Sequence, residues 1–216
     1  MTKIFNSYIN QELKEKFRQN EILRPALFLD RDGVIIKDYH YINNPKDVEL
    51  EDYAFEFINY VQSYNWLIII VTNQSGIAKG ILSWDSYLKI TKKMIHLFGG
   101  TNPFAAIYAN SVSSNNQNSK WRKPSPGMIL ESINDFPIDL KKSIIIGDRL
   151  TDIQSGARAG LLSAFHVLTG HGQNERGELK KKINPDGIFI EKNNTIKINL
   201  VNSLRDIPLN IFSSFK

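Results

Sequence analysis

Short apolar runs that break off into polar clusters, with segments of helical spacing between them, constrain this chain more than any other feature. Residues 26–30 (Ala-Leu-Phe-Leu-Asp) lead into Arg31-Asp-Gly33, and residues 66–71 (Trp-Leu-Ile-Ile-Ile-Val) into Thr72-Asn-Gln-Ser-Gly76. Both have the length and apolar content of a buried strand. Between them, residues 52–64 carry Phe55, Ile58 and Val61 at helical spacing. Further strands are predicted at 104–108, 143–146, 162–168 and 187–190, and helices at 83–98, 125–133 and 151–159. Ser83 suits an N-cap, Gly99-Gly100 and Gly160 suit helix ends, and Pro126 falls in a first turn, where proline is tolerated. Strands alternating with helices imply βαβ units, so the expected fold is α/β, a three-layer sandwich around a mostly parallel sheet. Residues 1–24 carry Ile4, Phe5, Tyr8, Ile9, Leu13 and Phe17, which predicts an amphipathic helix or two packed outside the sheet as an appendage to a domain of residues 25–216. No internal repeat is visible, and the Ser/Asn-rich residues 110–119 read as a polar loop.

Composition narrows the function classes. With 42% hydrophobic and 23% charged residues the chain is ordinary globular protein. It has no cysteine, which excludes disulfides, thiolate nucleophiles, iron–sulfur clusters and cysteine-bound zinc. The four histidines, His40, His96, His166 and His171, have no metal-binding spacing and read as packed or surface residues. A net charge of +5 can steer anionic substrates. Lys180-Lys-Lys182 reads as a solvated stretch beside Glu175 and Glu178, and no basic helix points to nucleic acid as a partner. The apolar run 66–71 falls far short of the roughly 20 residues that span a bilayer, and the N-terminal residues lack a signal-type apolar core. A cytoplasmic protein with no membrane partner, monomer or homodimer, is expected.

In an open parallel sheet, ligands bind beyond the carboxyl ends of the strands. Four clusters fall there: Asp30-Arg-Asp-Gly33, Thr72-Asn-Gln-Ser-Gly76, Arg122-Lys-Pro124, and Gly147-Asp-Arg149 with Asp152. Carboxylates call for a hard cation, most simply Mg²⁺, whereas lysine, arginine and backbone N–H groups call for an anion. A site needing both is a phosphate site with a metal. A strand-end carboxylate can attack phosphorus to give an aspartyl-phosphate. Gly33 permits the tight turn that follows and lets N–H groups face phosphate oxygens.

Asp30-Arg-Asp-Gly-Val34, Thr72-Asn-Gln-Ser-Gly-Ile77, Arg122-Lys-Pro124 and Gly147-Asp-Arg-Leu-Thr-Asp152 resemble, in order and spacing, the four motifs of the haloacid dehalogenase superfamily of phosphatases. The resemblance covers residues 25–172. Within the superfamily, Leu29–Val34, 72–78 and 122–128 resemble the heptose 1,7-bisphosphate phosphatases and their histidinol-phosphatase relatives. The resemblance implies that Asp30 is the nucleophile and an Mg²⁺ ligand. It makes Asp32 the general acid/base with its carbonyl on the metal, and Asp148 the residue completing the metal site. Thr72 and Lys123 would hold the phosphoryl group. Asp38 to Tyr41, Asn73, Gln74, Ser75, Arg122 and Arg149, together with Arg31, would contact the sugar or a remote phosphate. Asp152 either orients Lys123 or caps the helix that follows.

Members of this family carry a zinc loop, Cys-x-His with a later Cys-x-Cys, just before Arg-Lys-Pro. Residues 109–121 hold neither cysteine nor histidine here, so no zinc is expected, and Trp121 is a candidate anchor for that loop. Lys79 stands where the family has arginine, which keeps the charge but not the bidentate geometry. No large cap domain fits between the motifs, so residues 38–53 and 109–121 are expected to shape specificity. The expected activity is Mg²⁺-dependent hydrolysis of a small sugar phosphate, D-glycero-D-manno-heptose 1,7-bisphosphate foremost. The alternatives are a histidinol-phosphate phosphatase, a nucleic-acid 3′-phosphatase, or a non-catalytic phosphate sensor.

Overall fold

The computed structural model describes residues 5–19, 22–113 and 119–213. In chain order these form β1 (Phe5–Ile9), α1 (Gln11–Arg18), β2 (Ala26–Leu29), α2 (Ala54–Gln62), β3 (Leu67–Asn73), α3 (Ser75–Ala78), α4 (Trp84–His96) and β4 (Ala106–Asn110). Then come α5 (Gly127–Asp135), β5 (Ile144–Gly147), α6 (Leu150–Ala159), β6 (Ser163–His166), α7 (Gly172–Lys182), β7 (Ile188–Glu191), β8 (Asn194–Leu200) and α8 (Asn210–Ser213). The strands make one sheet in the order β1-β4-β3-β2-β5-β6-β8-β7. Only the two outermost pairs, β1 with β4 and β7 with β8, are antiparallel.

Because side chains alternate along a strand, each buried run feeds two cores. Leu27, Leu29, Ile68, Ile70, Ile144 and Ile146 face Phe57, Ile58 and Val61 of α2 and Tyr87, Ile90 and Met94 of α4. Phe28, Leu67, Ile69, Val71 and Ile145 face Phe17 of α1, Met128 and Ile129 of α5, Ile153 of α6 and Leu179 of α7. This is the expected three-layer sandwich. Ser83 caps α4 by accepting from Ser86 N at 3.0 Å, and Gly160 ends α6 at φ 76°. No helix among the described residues is long and apolar enough to cross a membrane.

The described part of residues 1–24 departs from expectation. The helix begins only at Gln11; Phe5–Ile9 is a strand that extends the sheet by pairing antiparallel with β4, Phe5 opposite Asn110. Phe, Tyr and Ile interleaved with Asn and Ser suit a half-exposed strand better than a helix, and β4 would otherwise present an unpaired edge. Lys14 of α1 reaches Asp135 at the end of α5 (2.7 Å), which ties the helix to the layer formed by α5.

Candidate active site

At the centre of the sheet, β2 lies between β3 and β5. Chain connections leave in opposite directions there, and a crevice opens beyond the carboxyl ends of the strands. It encloses about 390 Å³ and is lined by Asp30, Asp32, Asp38, Tyr41, Ser75, Arg122, Lys123 and Arg149, among others. All four sequence clusters reach it.

Asp30, just past β2, is buried; its Oδ1 accepts the Arg31 N–H at 2.7 Å and lies 3.0 Å from Lys123 Nζ. Lys123 is 2% exposed, stands 2.6 Å from Asp152 Oδ1 and donates to Val71 O at 2.8 Å. Burial works against its charge, but Asp152 and Asp30 outweigh burial and hold the ammonium above its usual range. Asp152 fills both roles left open by the sequence: one oxygen meets Lys123, while Oδ2 accepts from Arg149 N at 3.0 Å and caps α6.

Asp148 is fully buried at the end of β5. Its Oδ2 accepts the His171 N–H at 2.7 Å, while its Oδ1 has no hydrogen-bond partner among the described residues. Burial, then Asp30 and Asp152, push its carboxyl up; burial also raises Asp30, against the pull of Lys123. Gly33, at φ +78°, passes so close that a Cβ there would lie 2.7 Å from Asp148 Oδ2. Carboxylate oxygens of Asp30, Asp148 and Asp152 all lie within 4.8 Å of one another. Three carboxylates face one ammonium, which leaves a deficit that a dication neutralises. The unpartnered Oδ1 of Asp148 and the all-oxygen donor set fit Mg²⁺.

Three residues expected on the substrate line the crevice and are also bonded to neighbouring motif residues. Arg31 is 2% exposed; its Nη2 meets Asp32 Oδ1 at 2.9 Å and Gln74 Oε1 at 3.0 Å, and its guanidinium lies over the Tyr87 ring at 5.1 Å. Gln74 Nε2 donates to Asp32 Oδ2 at 2.7 Å and to Thr72 Oγ1 at 2.9 Å. Asn73 uses both amide atoms on the backbone of Lys123, at 3.1 Å each way. The Asp32 carboxylate is thereby held on Arg31 and Gln74. The physical reason is burial: each amide or guanidinium taken from water needs a partner, and the neighbouring motif residues provide it.

At the crevice mouth, Lys79 Nζ donates to Tyr41 Oη at 2.7 Å, and Arg122 Nη1 donates to Val112 O at 2.7 Å. Arg149 remains 41% exposed, 3.8 Å from Glu175. Trp121 packs its ring on Phe5 (centroids 4.8 Å) and Tyr108 (5.7 Å), so it does anchor the end of the loop; residues 114–118 lie outside the described residues. Sequence reasoning missed Tyr87 and His171, which support or line the site from segments without any motif.

Comparison with known proteins agrees with this geometry. A family model described as HAD-hydrolase-like matches residues 120–191. The D-glycero-beta-D-manno-heptose-1,7-bisphosphate 7-phosphatase of Vibrio cholerae serotype O1 is 33% identical over 172 residues, 76% of this chain and 92% of that protein. The D-glycero-alpha-D-manno-heptose-1,7-bisphosphate 7-phosphatase of Campylobacter jejuni is 39% identical over 137 residues, 63% of this chain and 78% of the relative. The crystal structure of D,D-heptose 1,7-bisphosphate phosphatase from B. bronchiseptica, complexed with magnesium and phosphate, superposes with a TM-score of 0.69 at 26% identity, covering 83% of this chain and 93% of the other. With motifs, sheet order and relatives in agreement, the chain belongs to the haloacid dehalogenase-like phosphatases, in the family of the heptose 1,7-bisphosphate 7-phosphatases.

Proposed function

We propose that this phosphatase is magnesium-dependent and removes the 7-phosphate of D-glycero-D-manno-heptose 1,7-bisphosphate through an aspartyl-phosphate on Asp30. The observation that carries the reading is the Asp30–Lys123–Asp152 ion-pair chain with the unpartnered Asp148 Oδ1 beside it, at the sheet's switch point. Asp30 and Asp148, with the Asp32 carbonyl, would hold the cation, which when bound would supply charge neutralisation on the phosphoryl oxygens.

The residues of the chain do the rest. Asp30 attacks phosphorus through a carboxylate oxygen, and its carboxylate is held in place by Arg31 N and Lys123 on Oδ1. As the bond to the sugar oxygen breaks, Asp32 delivers a proton to that oxygen. Asp32 then takes a proton from water as the water attacks the aspartyl-phosphate; the bond from phosphorus to Asp30 breaks, and inorganic phosphate leaves. Thr72 and Lys123 hold the transferring group. Arg31 and Gln74 orient Asp32, and Asn73 orients Lys123. Asp38, Tyr41, Ser75, Arg122 and Arg149 face the remainder of the substrate, where cations suit a second phosphate.

The test is phosphate release with Mg²⁺ from a panel containing both anomers of the heptose bisphosphate, histidinol phosphate, hexose phosphates and a 3′-phosphorylated oligonucleotide. Relatives named for either anomer make both necessary. The expected result is a preference of tenfold or more for one heptose anomer and no turnover by Asp30→Asn. No release from any sugar phosphate, or a preference for the oligonucleotide, overturns the reading.

A further inference from the structure

Besides the buried aspartates, one other group of metal-binding side chains converges among the described residues: Asp38, His40 and His171, one ligand-type atom from each lying within 4.8 Å of the others. His171 Nε2 stands 3.1 Å from Asp38 Oδ2, and His40 Nδ1 stands 4.0 Å from Asp38 Oδ1. The two imidazole rings have centroids 5.6 Å apart. All three residues line the mouth of the active-site crevice.

The backbone holds them there. His40 N donates to Asp38 Oδ1 at 2.9 Å, so both belong to one tight turn. On the other side, His171 is fixed through its backbone N–H, which donates to Asp148 Oδ2 at 2.7 Å, while its imidazole meets Asp38 at the crevice. Two segments far apart in sequence thus present nitrogen, nitrogen and oxygen to one point.

Two imidazoles with one carboxylate suit zinc and similar first-row dications, whereas Mg²⁺ prefers oxygen alone. A tetrahedral zinc about 2.0–2.1 Å from each nitrogen sets ligand atoms roughly 3.4 Å apart. The His171–Asp38 separation already approximates this, and His40, whose side chain is 80% exposed, has room to swing inward. Three protein ligands leave a fourth position open, the arrangement of zinc sites that bind water or substrate. We propose that Asp38, His40 and His171 form a second divalent-cation site of zinc type at the crevice mouth, its open position directed to an oxygen donor in the crevice. The site uses none of residues 109–121, whose lack of cysteine underlies the expectation of no zinc.

The full chain, saturated with Mg²⁺, is titrated with Zn²⁺ calorimetrically and with Co²⁺ as a spectroscopic probe. One further ion per chain is expected, with visible Co²⁺ bands of a four-coordinate nitrogen–oxygen site that Zn²⁺ displaces. Loss of a mere outer partner costs metal sites about 10–100-fold in affinity, so His40→Ala and His171→Ala should each weaken uptake at least tenfold. Asp30→Asn should retain it, which separates this site from the aspartate cluster. Thermal unfolding followed by circular dichroism confirms that each variant is folded. Absence of uptake by the Mg²⁺-saturated protein, equal uptake by wild type and His40→Ala, or uptake lost in Asp30→Asn overturns the proposal.

Discussion

Lys123 and His166 show how burial sets the chemistry of single residues. Lys123 keeps its charge in the interior because two carboxylates and a carbonyl surround it; removing it would leave Asp152 buried and uncompensated, a costly state. His166, at the end of β6, takes the opposite course. It is fully buried and its Nδ1 accepts from Arg176 Nε at 2.9 Å; burial first, then the Arg176 charge, lowers its pKa from 6.5 to about 4. The imidazole therefore stays neutral in the folded protein while the unfolded chain titrates near 6.5. Between those values the unfolded state binds more protons, so stability is complete above pH 6.5 and declines as pH falls toward 4. At about 1.4 kcal/mol per pH unit the loss reaches roughly 3 kcal/mol. Urea unfolding of wild type and His166→Asn at pH 7, 6 and 5 should differ by this slope, the variant losing less stability, or gaining more, as pH falls; equal slopes in the two proteins remove His166 as a contributor.

At the scale of elements, legibility followed hydrophobic periodicity. The buried strands β2, β3 and β5 and the amphipathic α2 and α4 were readable because their apolar spacing is unambiguous. The polar helix α7 was not, since only Gly172 and Leu179 of it are buried; Arg176 fastens it by donating to the carbonyls of His166 and Val201. β8 did carry a signal, Ile196 and Ile198 alternating with Thr195, Lys197 and Asn199, but with only two buried apolar residues and after a turn-rich stretch. β1 was misread because five residues with Phe, Tyr and Ile fit either period, and only the open edge of β4 decides between them. That strand has a consequence near the site: Phe5 packs on Trp121, two residues before Lys123. A double-mutant cycle with Phe5→Ala and Trp121→Ala should give a coupling of about 0.5–1.5 kcal/mol in stability. Additive effects would mean that the edge strand and the loop are independent.

At the scale of the molecule, the sheet order does what no single motif does. It sets β2 between β3 and β5, so that four clusters spread along the sequence from Asp30 to Asp152 share one crevice. Those clusters were legible because polar residues massed at strand ends have one place to go in a parallel sheet. The partnering of Arg31 with Asp32, or of Asn73 with the Lys123 backbone, was not, because it depends on side-chain directions that spacing leaves open. Nor does spacing bring His171 to Asp38, residues from the segments that follow β6 and β2. The whole fold also carries the cost of the aspartate cluster, since Asp30, Asp148 and Asp152 are brought together against a single lysine. A ligand that binds only the folded state stabilises it by about 2.7 kcal/mol at a hundred times its dissociation constant. For a domain of 216 residues, where 1 kcal/mol moves the midpoint by roughly 2–4 °C, Mg²⁺ should therefore raise Tm by about 5–10 °C. Asp148→Asn removes one carboxylate charge from that cluster, so the variant should melt closer to the Mg²⁺-bound wild type in the absence of metal and respond little to its addition. A wild-type Tm indifferent to Mg²⁺, or an equal rise in Asp148→Asn, would show that the buried carboxylates are balanced within the chain and that the cation binds elsewhere.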